Sequence, residues 1–324
     1  MIRYNKFLSS ASNNHAMFIP KSLLEEFALE KTNIHRIYSS PGLWIERYHQ
    51  HFIISHLPEM DPREILKDLR EWLDTHQLVA ESIYTRLVTN RPNLRQSPVR
   101  IFQESESPYK TTAQEWGLSY QISFAIGYSV GFFMDQRLNR KYLIDFLNTK
   151  RAKSECKVLN LFAYTCSFSV VAASMGCDTL NVDTLRSHLD RGRENFRLNH
   201  INPQAHGFFT NDVREILPRL RRQRKKFDVI ILDPPTFSHA KKIGPFHVEK
   251  NLPQLIEQGL QLLSPLGKML ISTNCLSIKK EVLRRDVEKA AEKLKQICKI
   301  YTTPNLQDFS EGKLPLTFWV QLSD

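Results

Sequence analysis

Three aspartates each follow an apolar segment in the second half of the sequence. Asp183 closes one such segment, Asp212 comes two residues after the next, and Asp233 comes directly after a third. If these segments are strands of a parallel sheet, their carboxyl ends meet at one edge, where ligands bind. A carboxylate there can accept hydrogen bonds from ribose hydroxyls. Each aspartate could instead cap the next helix, but three at successive strand ends favour a shared binding site.

Asp233 is the most distinctive of the three, because two prolines and an aromatic residue follow it. Pro234 and Pro235 lack backbone N–H groups, so the carbonyls of this turn stay free to accept hydrogen bonds. A carboxylate beside oriented carbonyls suits a planar group with N–H donors, such as the edge of a nucleobase, and Phe237 could stack on its face. Asp-Pro-Pro also occurs in ordinary turns, but its place behind an apolar strand favours the interpretation that these four residues meet a substrate.

Alternating strand and helix patterns begin near residue 145 and would position these side chains. Seven strands are expected, at 158–162, 180–183, 207–210, 227–232, 268–272, about 298–303 and 316–322. Helices are expected at 168–175, 186–199, 213–224 and 252–263, followed by an amphipathic helix that buries Leu283, Val287, Ala290 and Leu294. Repeated strand–helix units imply a doubly wound parallel sheet covered on both faces. The predicted fold class is therefore α/β.

The first part of the chain has a different pattern. Residues 1–34 read as a polar arm with a short helix, and residues 35–126 as a smaller mixed α/β domain. Its strands are expected at 35–38, 43–48, 52–57, 82–88, 99–103 and 118–126. Asp61, Pro62 and Glu64 form the cap pattern of a helix whose apolar face carries Ile65, Leu66, Leu69, Trp72 and Leu73. No residues in this domain have catalytic spacing.

Composition excludes several classes of protein. The 324 residues are 41% hydrophobic and 24% charged, as in globular proteins, which excludes global disorder. No apolar run is long enough to span a membrane, and the polar N-terminus does not resemble a secretory signal. Five cysteines without a C-x-x-C pair favour a reduced, cytoplasmic protein. No metal-ligand spacing is present, and nothing indicates the oligomeric state.

The charge balance points to a polyanionic partner. Lysine and arginine (45) exceed aspartate and glutamate (34) by 11, which favours nucleic acid or an anionic membrane surface. Seven basic residues lie within positions 214–226, and Arg221, Arg222 and Arg224 are the candidates for contacts with a phosphate backbone. A solvated helix face explains this segment equally well.

Four motifs together resemble those of bacterial 23S rRNA methyltransferases of the large-subunit I and K type. They are GFFMDQRLNR at 131–140, LNLFAYT at 159–165, RENFRLN at 193–199 and DPPTFS at 233–238. The resemblance extends over about residues 35–324. It implies a class I methyltransferase domain at 127–324, with a Rossmann-like seven-stranded sheet, that methylates RNA with S-adenosylmethionine (SAM). Residues 35–126 would then contact RNA. The small PUA-type domain that usually comes first in this family has no counterpart in residues 1–34.

The resemblance also implies roles for individual residues. The cofactor site would comprise Asp135, Arg137, Asn160, Phe162, Tyr164, Thr165, Asp183 and Asp212. Within it, Phe162, Tyr164 and Thr165 would surround the methionine part of SAM. Asp183 would hold the ribose hydroxyls and Asp212 would lie by the adenine. Asp135 and Arg137 would shape the cofactor's carboxylate end and the substrate side. Asp233 and Pro234 would face the target base, with Pro235 and Phe237 in the same catalytic turn. The reaction is an in-line attack on a sulfonium methyl, so the protein mainly positions two reactants.

One departure from the family pattern concerns the cofactor loop. The family has glycine after the position of Thr165, whereas this chain has Cys166 and Ser167. Glycine tolerates positive φ angles and close approach of the backbone to a ligand. Cys166 is therefore expected either to crowd the methionine carboxylate or to bend the loop differently. A non-catalytic RNA-binding paralogue with a degenerate SAM loop is one alternative function.

The target base is a second open question. Members that make 5-methylcytosine attack the base with a cysteine after the fifth strand, and Cys275 lies one residue beyond that position. Residues 236–238, 272–274 and 306–310 resemble guanine-modifying members better, so guanine is preferred and 5-methylcytosine chemistry at Cys275 is the alternative. A nicotinamide-dependent dehydrogenase is disfavoured, because no G-x-G-x-x-G follows the first strand of the α/β region.

Overall fold

The structure is a computed structural model that describes residues 17–89, 94–104, 109–150, 155–240, 243–309 and 314–323. The chain forms two compact units. Unit 1 comprises Met1–Gly117, Ile122–Val130 and Gln307–Ser310, and unit 2 comprises Leu118–Gln121, Gly131–Leu306 and Glu311–Asp324. The predicted division at residues 34 and 126 differs from this one: the described residues before 34 belong to unit 1, and so does a short segment from the C-terminal part of the chain.

Unit 1 is built on a six-stranded sheet whose strands follow one another in chain order. The strands are β1 (Met17–Phe18), β2 (Ile34–Ser40), β3 (Leu43–Tyr48), β4 (His51–His56), β5 (Ser82–Leu87) and β6 (Val99–Gln103). Neighbours are antiparallel except β4 and β5, which are parallel because helix α2 (Leu66–Thr75) connects them. Helix α1 (Lys21–Leu29) buries Leu23 and Phe27. The predicted mixed α/β character of this region agrees with the architecture.

The helix predicted after Asp61 begins later than its sequence pattern indicates. Asp61 does accept a hydrogen bond from the backbone N–H of Arg63 at 2.9 Å, but it holds a turn, and α2 starts at Leu66. The predicted apolar face is present: Ile65, Leu69, Trp72 and Leu73 are buried in the core cluster that α2 shares with the sheet, and Leu66 packs against it. The cap pattern therefore identified the right segment and placed the helix start four residues too early.

Unit 2 contains a seven-stranded sheet of strand order β11-β10-β9-β12-β15-β17-β16. Its strands are β9 (Lys157–Leu161), β10 (Asp178–Asp183), β11 (Gly207–Thr210), β12 (Phe227–Leu232), β15 (Leu263–Thr273), β16 (Ile297–Tyr301) and β17 (Leu316–Ser323). β17 is antiparallel to both of its neighbours, and the other described pairs are parallel. All seven predicted strands are present, and β15 is longer than predicted.

Helices cover both faces of this sheet because consecutive strand residues point to opposite sides. The helices are α3 (Arg137–Asn148), α4 (Ser167–Ser174), α5 (Arg186–Leu198), α6 (Val213–Arg222), α7 (Val248–Leu260) and α8 (Lys280–Lys293). Leu159 and Ile230 belong to the core cluster with α6, α7 and α8, whereas Val158 and Ile231 belong to the cluster with α3 and α4. The central strands of this sheet, β9 and β12, are largely buried, and the candidate site lies at their carboxyl ends.

Five described helices and strands have no counterpart among the predicted ones. They are β1, α3, β7 (Lys110–Glu115), and the hairpin of β13 (Phe237–Ala240) and β14 (Gly244–His247). β8 (Leu118–Ser123) is shorter than predicted, and the chain passes from unit 1 to unit 2 there. No helix in the described part of the chain has the length and apolar character needed to cross a lipid bilayer.

Candidate functional site

Strand register brings four candidate side chains to the same level of the unit 2 sheet. Val182 and Leu232 both pair with Leu161, and Leu232 also pairs with Ile271. The next residues along the four strands are Asp183, Phe162, Asp233 and Ser272. They lie side by side at the carboxyl ends of β10, β9, β12 and β15, which is where ligands bind in open parallel sheets. The shared level of Asp183 and Asp233 was expected from the sequence.

Asp183 holds the turn that follows β9 as well as the turn that follows its own strand, β10. One carboxylate oxygen accepts the backbone N–H of Leu185 at 2.9 Å and lies 3.2 Å from Nδ1 of His188. The other oxygen accepts the backbone N–H of Tyr164 at 2.9 Å. Asp183 is only 8% exposed, so these bonds satisfy a charge that is largely withdrawn from water. Each oxygen has two lone pairs, so the carboxylate keeps capacity to accept further donors.

The loop at residues 162–166 has a strained backbone. Phe162, Tyr164 and Cys166 have φ angles of 57°, 46° and 63°, in the left-handed region that favours glycine. Such strain persists where surrounding contacts hold it, often at ligand sites. Here the Ala163 N–H donates to the Val182 carbonyl at 2.9 Å. The loop is therefore fixed in the conformation that glycine usually supplies.

Two further bonds tie this loop to neighbouring segments. The Thr165 hydroxyl donates to the Gly131 carbonyl at 2.7 Å. The Asn195 side chain, on α5, donates to the Thr165 carbonyl at 2.9 Å. Thr165 is buried, and its hydroxyl is used to anchor the loop. Two of the motifs found in the sequence, at 131–140 and 193–199, thus act in part as supports for a third.

The Asp233 carboxylate lies in a buried polar cluster. Its Oδ2 accepts a hydrogen bond from Nε2 of Gln136 at 3.2 Å, and the same Nε2 donates to Oγ of Ser272 at 2.7 Å. Burial raises the pKa of Asp233 to about 6, although a hydrogen bond from Ser272 and the charge of Arg140 each favour the ionised form. Asp233 is therefore ionised at neutral pH but close to its titration range, as is common for functional carboxylates.

The arrangement fits a nucleoside-type cofactor and a second ligand with N–H donors. A carboxylate at the end of the second strand of a parallel α/β unit suits a ribose diol. The strained loop beside Asp183 is held by surrounding contacts, as is common at ligand sites. Asp233 stands two strands away from Asp183 in the sheet order, which leaves the intervening strand end, at Phe162, between the two carboxylates. No cluster of three or more histidine, cysteine or acidic side chains that could hold a metal ion occurs among the described residues.

A family model agrees with this geometry. The model described as S-adenosylmethionine-dependent methyltransferase matches residues 44–314. The chain belongs to this family. Both the predicted α/β fold of class I type and the predicted cofactor, SAM, are thereby confirmed.

Curated relatives of this methyltransferase include ribosomal RNA methyltransferases. Ribosomal RNA large subunit methyltransferase I of Photobacterium profundum is 30% identical over 241 residues, which are 72% of this chain and 57% of the relative. Ribosomal RNA large subunit methyltransferase K/L of Legionella pneumophila (strain Lens) is 37% identical over 157 residues, 48% of this chain and 21% of the relative. The methyltransferase thus spans little more than half of the first relative and about a fifth of the second.

Solved structures show the same architecture. SMU.776, assigned as a methyltransferase and crystallised with SAH, is 26% identical with a TM-score of 0.74, over 93% of this chain and 78% of that chain. Trm5b of Pyrococcus abyssi has a TM-score of 0.62 at 16% identity, over 97% of this chain and 81% of that chain. The second likeness extends to the fold alone.

Several predicted cofactor residues have structural partners within the methyltransferase. The Asn160 side chain is buried and donates to Oγ of Ser169 at 2.9 Å, so it links β9 to α4. Asp212 caps α6 through the Arg214 N–H at 2.8 Å and pairs with the Arg214 guanidinium at 2.9 Å. Thus Asp212 acts as the helix cap that its residue type also suggests, and a contact with adenine stays a prediction.

The remaining site candidates differ in exposure. Arg137 is buried at the start of α3 and Asp135 is half-buried in the turn before it. The Tyr164 ring packs between Phe133, at 5.2 Å, and His188, at 4.6 Å between ring centroids. Pro234 is buried. Pro235 and Phe237 are exposed, so Phe237 has the accessibility that stacking on a base would need, and its role stays a prediction.

The three arginines predicted to bind RNA lie away from this site. Arg221 and Arg222 end α6 and Arg224 follows it, next to the amino end of β12, whereas Asp233 follows the carboxyl end of that strand. All three are exposed. Arg221 donates to the Gln261 side chain at 3.1 Å. Their exposure suits a phosphate contact and a solvated face equally, so the structure leaves this prediction open.

The Cys166 side chain is buried in the fold rather than in the crevice, where one of the two alternatives from the sequence had placed it. It is fully buried and faces Gly192 on α5: a Cβ atom placed at residue 192 would lie 2.5 Å from the Cys166 Sγ. Burial holds the pKa of the Cys166 thiol well above its usual value, so the group is neutral. The chain thus accommodates a cysteine in this loop by having a glycine opposite it.

Gly192→Ala is therefore expected to destabilise the methyltransferase by about 1–3 kcal/mol, as overpacking does, even though alanine favours a helix by up to ~1 kcal/mol. Removing the thiol should reverse the effect. The double variant Cys166→Gly, Gly192→Ala is expected to unfold at or above the wild-type urea midpoint. Equal losses in the single and double variants would show that the two side chains are not coupled.

Sequence reasoning missed three site residues. Gln136 lies inside a quoted motif, but nothing in its pattern indicated that it would face Asp233. Ser272 appeared only as part of a resemblance. His188 lies five residues after Asp183, and its Nδ1 contacts that carboxylate. This short spacing between the two residues is the signal that could have identified His188.

Proposed function

We propose that this methyltransferase transfers a methyl group from SAM to a base of large-subunit ribosomal RNA, in the cytoplasm, with guanine preferred over cytosine. The curated relatives named above support the RNA class, and the net charge of +11 suits a polyanionic substrate. Because the chain spans only part of those relatives, the substrate is inferred from the site as much as from the likeness.

The observation that carries the proposal is the Asp233 carboxylate at the level of Asp183. An ionised carboxylate is an acceptor only, so it suits an N–H group of a base. Guanine carries such groups on its Watson–Crick edge. With its pKa at about 6, Asp233 can accept that hydrogen bond at neutral pH and take up the proton that the nitrogen gives up when it is methylated.

Each part of the site has a separate task in this reaction. SAM supplies an electrophilic methyl group on a positively charged sulfur. Asp183 and the loop at 162–166 would hold the cofactor, and Asp233 with the following turn would orient the base. Because the base nitrogen must be held toward the methyl group and must release its proton, orientation and proton acceptance are the contributions required of the protein.

The alternative, 5-methylcytosine formation through Cys275, has less structural support. Cys275 belongs to the main hydrophobic core cluster of unit 2, and its Sγ lies 3.0 Å from Oγ of Ser277. A buried thiol packed in this way is usually structural. A nucleophile would instead need access to C6 of the base.

Cys275→Ala is accordingly expected to keep methylation within about threefold of wild type, since no covalent step is required of this residue. Initial rates on ribosomal RNA would measure it. Loss of activity with normal folding, or a covalent adduct with RNA that contains 5-fluorocytosine, would establish cytosine C5 chemistry instead.

Two measurements together test the proposed function. Mass spectrometry of ribosomal RNA nucleosides from a deletion strain should lack one methylated base, and the purified protein with SAM should restore it. Calorimetric titration with SAM separates the non-catalytic alternative, because a paralogue with a degenerate loop would not bind the cofactor. A missing methyl group on transfer RNA would refute the ribosomal assignment while retaining the chemistry.

RNA binding by the basic helix gives a further prediction. Replacing Arg221, Arg222 and Arg224 with glutamine should flatten the slope of log affinity against log salt by roughly two to three units, because each phosphate contact releases condensed counterions. SAM affinity should not change. An unaltered slope would show that these three arginines face solvent and do not bind RNA. RNA binding would then rest on unit 1, where a cleft of about 560 Å³ is lined in part by Lys21, Lys31 and Arg47.

A further inference from the structure

A chain of hydrogen bonds runs from β17, the strand next to the edge of the unit 2 sheet, to Asp233. Nε1 of Trp319, on β17, donates to Oδ1 of Asn139 at 3.0 Å. Nδ2 of Asn139 donates to Oε1 of Gln136 at 2.8 Å. Nε2 of Gln136 then donates to Asp233 and to Ser272. Trp319, Asn139 and Gln136 are all buried, so water does not compete with the bonds that join these three residues.

The direction of this chain is set at its remote end. An indole N–H can only donate, so the atom of Asn139 that faces Trp319 must be its oxygen. The hydroxyl of Thr303 lies 3.5 Å from the same oxygen. The amide nitrogen of Asn139 therefore faces Gln136 and engages its oxygen. Gln136 is left with its N–H₂ group toward Asp233. A donor-only group on β17 thus determines that Asp233 meets a donor rather than a second acceptor.

We propose that Trp319, Asn139 and Gln136 form a positioning relay that orients the Asp233 carboxylate and keeps it ionised for contact with the base. This inference rests on the proposed function, in which Asp233 faces the substrate. Gln136 and the two residues behind it act through Asp233 and are positioning residues.

The groups around Asp233 differ in whether they oppose or favour its negative charge. Burial opposes its charge, and the nearby charged group that favours it is Arg140, which is fully buried on α3 with its guanidinium 4.3 Å from the Phe132 ring centroid. Ser272 reaches Asp233 from β15. Asp135 and Arg137 flank Gln136 in the chain. Among these groups, Ser272 and Gln136 supply the side-chain hydrogen bonds described for Asp233, and Gln136 also binds Ser272.

Three variants test the relay at increasing distance from Asp233. Gln136→Met keeps the length of the side chain but removes the donor, so the pKa of Asp233 should rise by about one unit. Asn139→Asp never touches Asp233, but it presents oxygen to both neighbours, so Gln136 should turn over and direct its own oxygen at the carboxylate. The pKa of Asp233 should therefore rise in Asn139→Asp as well. Trp319→Phe frees Asn139 to flip and should give a smaller shift.

The readouts are the pH profile of kcat/KM on RNA and direct titration of the Asp233 carboxyl by NMR, assigned with Asp233→Asn. We expect the acid limb to move upward in Gln136→Met and Asn139→Asp, with roughly fivefold lower activity near pH 6 and recovery near pH 8.5. A structural defect would lower activity at every pH. Tyr142→Phe is the matched control, because Tyr142 packs on Trp319 at 4.7 Å between ring centroids without joining the chain, and its acid limb should not move.

The outcomes separate the relay from the proposed function. The relay would be overturned if the acid limb and the pKa of Asp233 stayed at their wild-type values in Gln136→Met and Asn139→Asp. It would also be overturned if they shifted in Gln136→Met alone. If the wild-type protein methylates no RNA, the proposed function fails, and the NMR titration still decides whether the relay controls Asp233.

Discussion

Asp183→Ala is expected to weaken SAM binding by about 1.5–3 kcal/mol, which is roughly 10- to 150-fold in Kd. The first reason is the loss of charged hydrogen bonds to the ribose. The second is structural: the carboxylate also holds the Tyr164 and Leu185 N–H groups at 2.9 Å, so its removal releases the strained loop. Calorimetric titration with SAM gives the Kd directly.

Asp178→Ala is the matched control for this prediction. Asp178 is exposed and lies at the amino end of the same strand, β10, so its replacement removes an equal charge far from the ligand edge. SAM affinity should be unchanged in this variant. An unaltered Kd in Asp183→Ala would remove Asp183 from the cofactor site, and equal losses in both variants would indicate a long-range charge effect rather than contact.

The central strands of unit 2 were predictable because most of their apolar residues are buried on both faces. Short runs of apolar residues between turn signals mark such strands, and the aspartates that follow them can be placed at one edge of the sheet by sequence alone. Helix α3 was not predicted, for the opposite reason. Asn139 and Arg140 are buried on it beside Leu143, so its inner face is partly polar and hydrophobic periodicity could not reveal it.

The supporting contacts of the site could not be inferred from spacing. Gln136 meets Asp233 across 97 positions of sequence and Ser272 across 136, and Asn139 meets Trp319 across 180. Such pairs follow from strand order and helix placement, which no local pattern encodes. Cys166 shows the same limit at short range: its position left open either a clash with the cofactor or a differently bent loop. Spacing could not reveal that Gly192 on the next helix gives the thiol a place inside the fold.

Asp233→Asn is expected to lower the methylation rate by about 100-fold or more while it raises stability at neutral pH. The loss follows from replacing an ionised acceptor with an amide, which removes proton acceptance from the base. In the wild type, kcat/KM should fall as the pH drops below about 6, because protonation of Asp233 abolishes the same acceptor.

The gain in stability follows from the sign of the pKa change. The pKa of Asp233 is raised in the fold, so its stabilising contribution is complete below the unfolded value near 4 and is lost as the pH rises through about 6. Asparagine carries no such cost, so the Tm of Asp233→Asn should exceed that of wild type at pH 8 by more than at pH 4.5. Asp228→Asn, at the amino end of the same strand, removes a carboxylate that accepts the Lys157 N–H at 3.0 Å and should not raise the Tm. Thermal unfolding at both pH values and methylation rates on RNA distinguish a structural role of Asp233 from a role in the reaction. If Asp233→Asn loses both activity and stability, Asp233 is a structural residue. If it loses activity and gains stability, the charge of Asp233 is kept in place for the reaction.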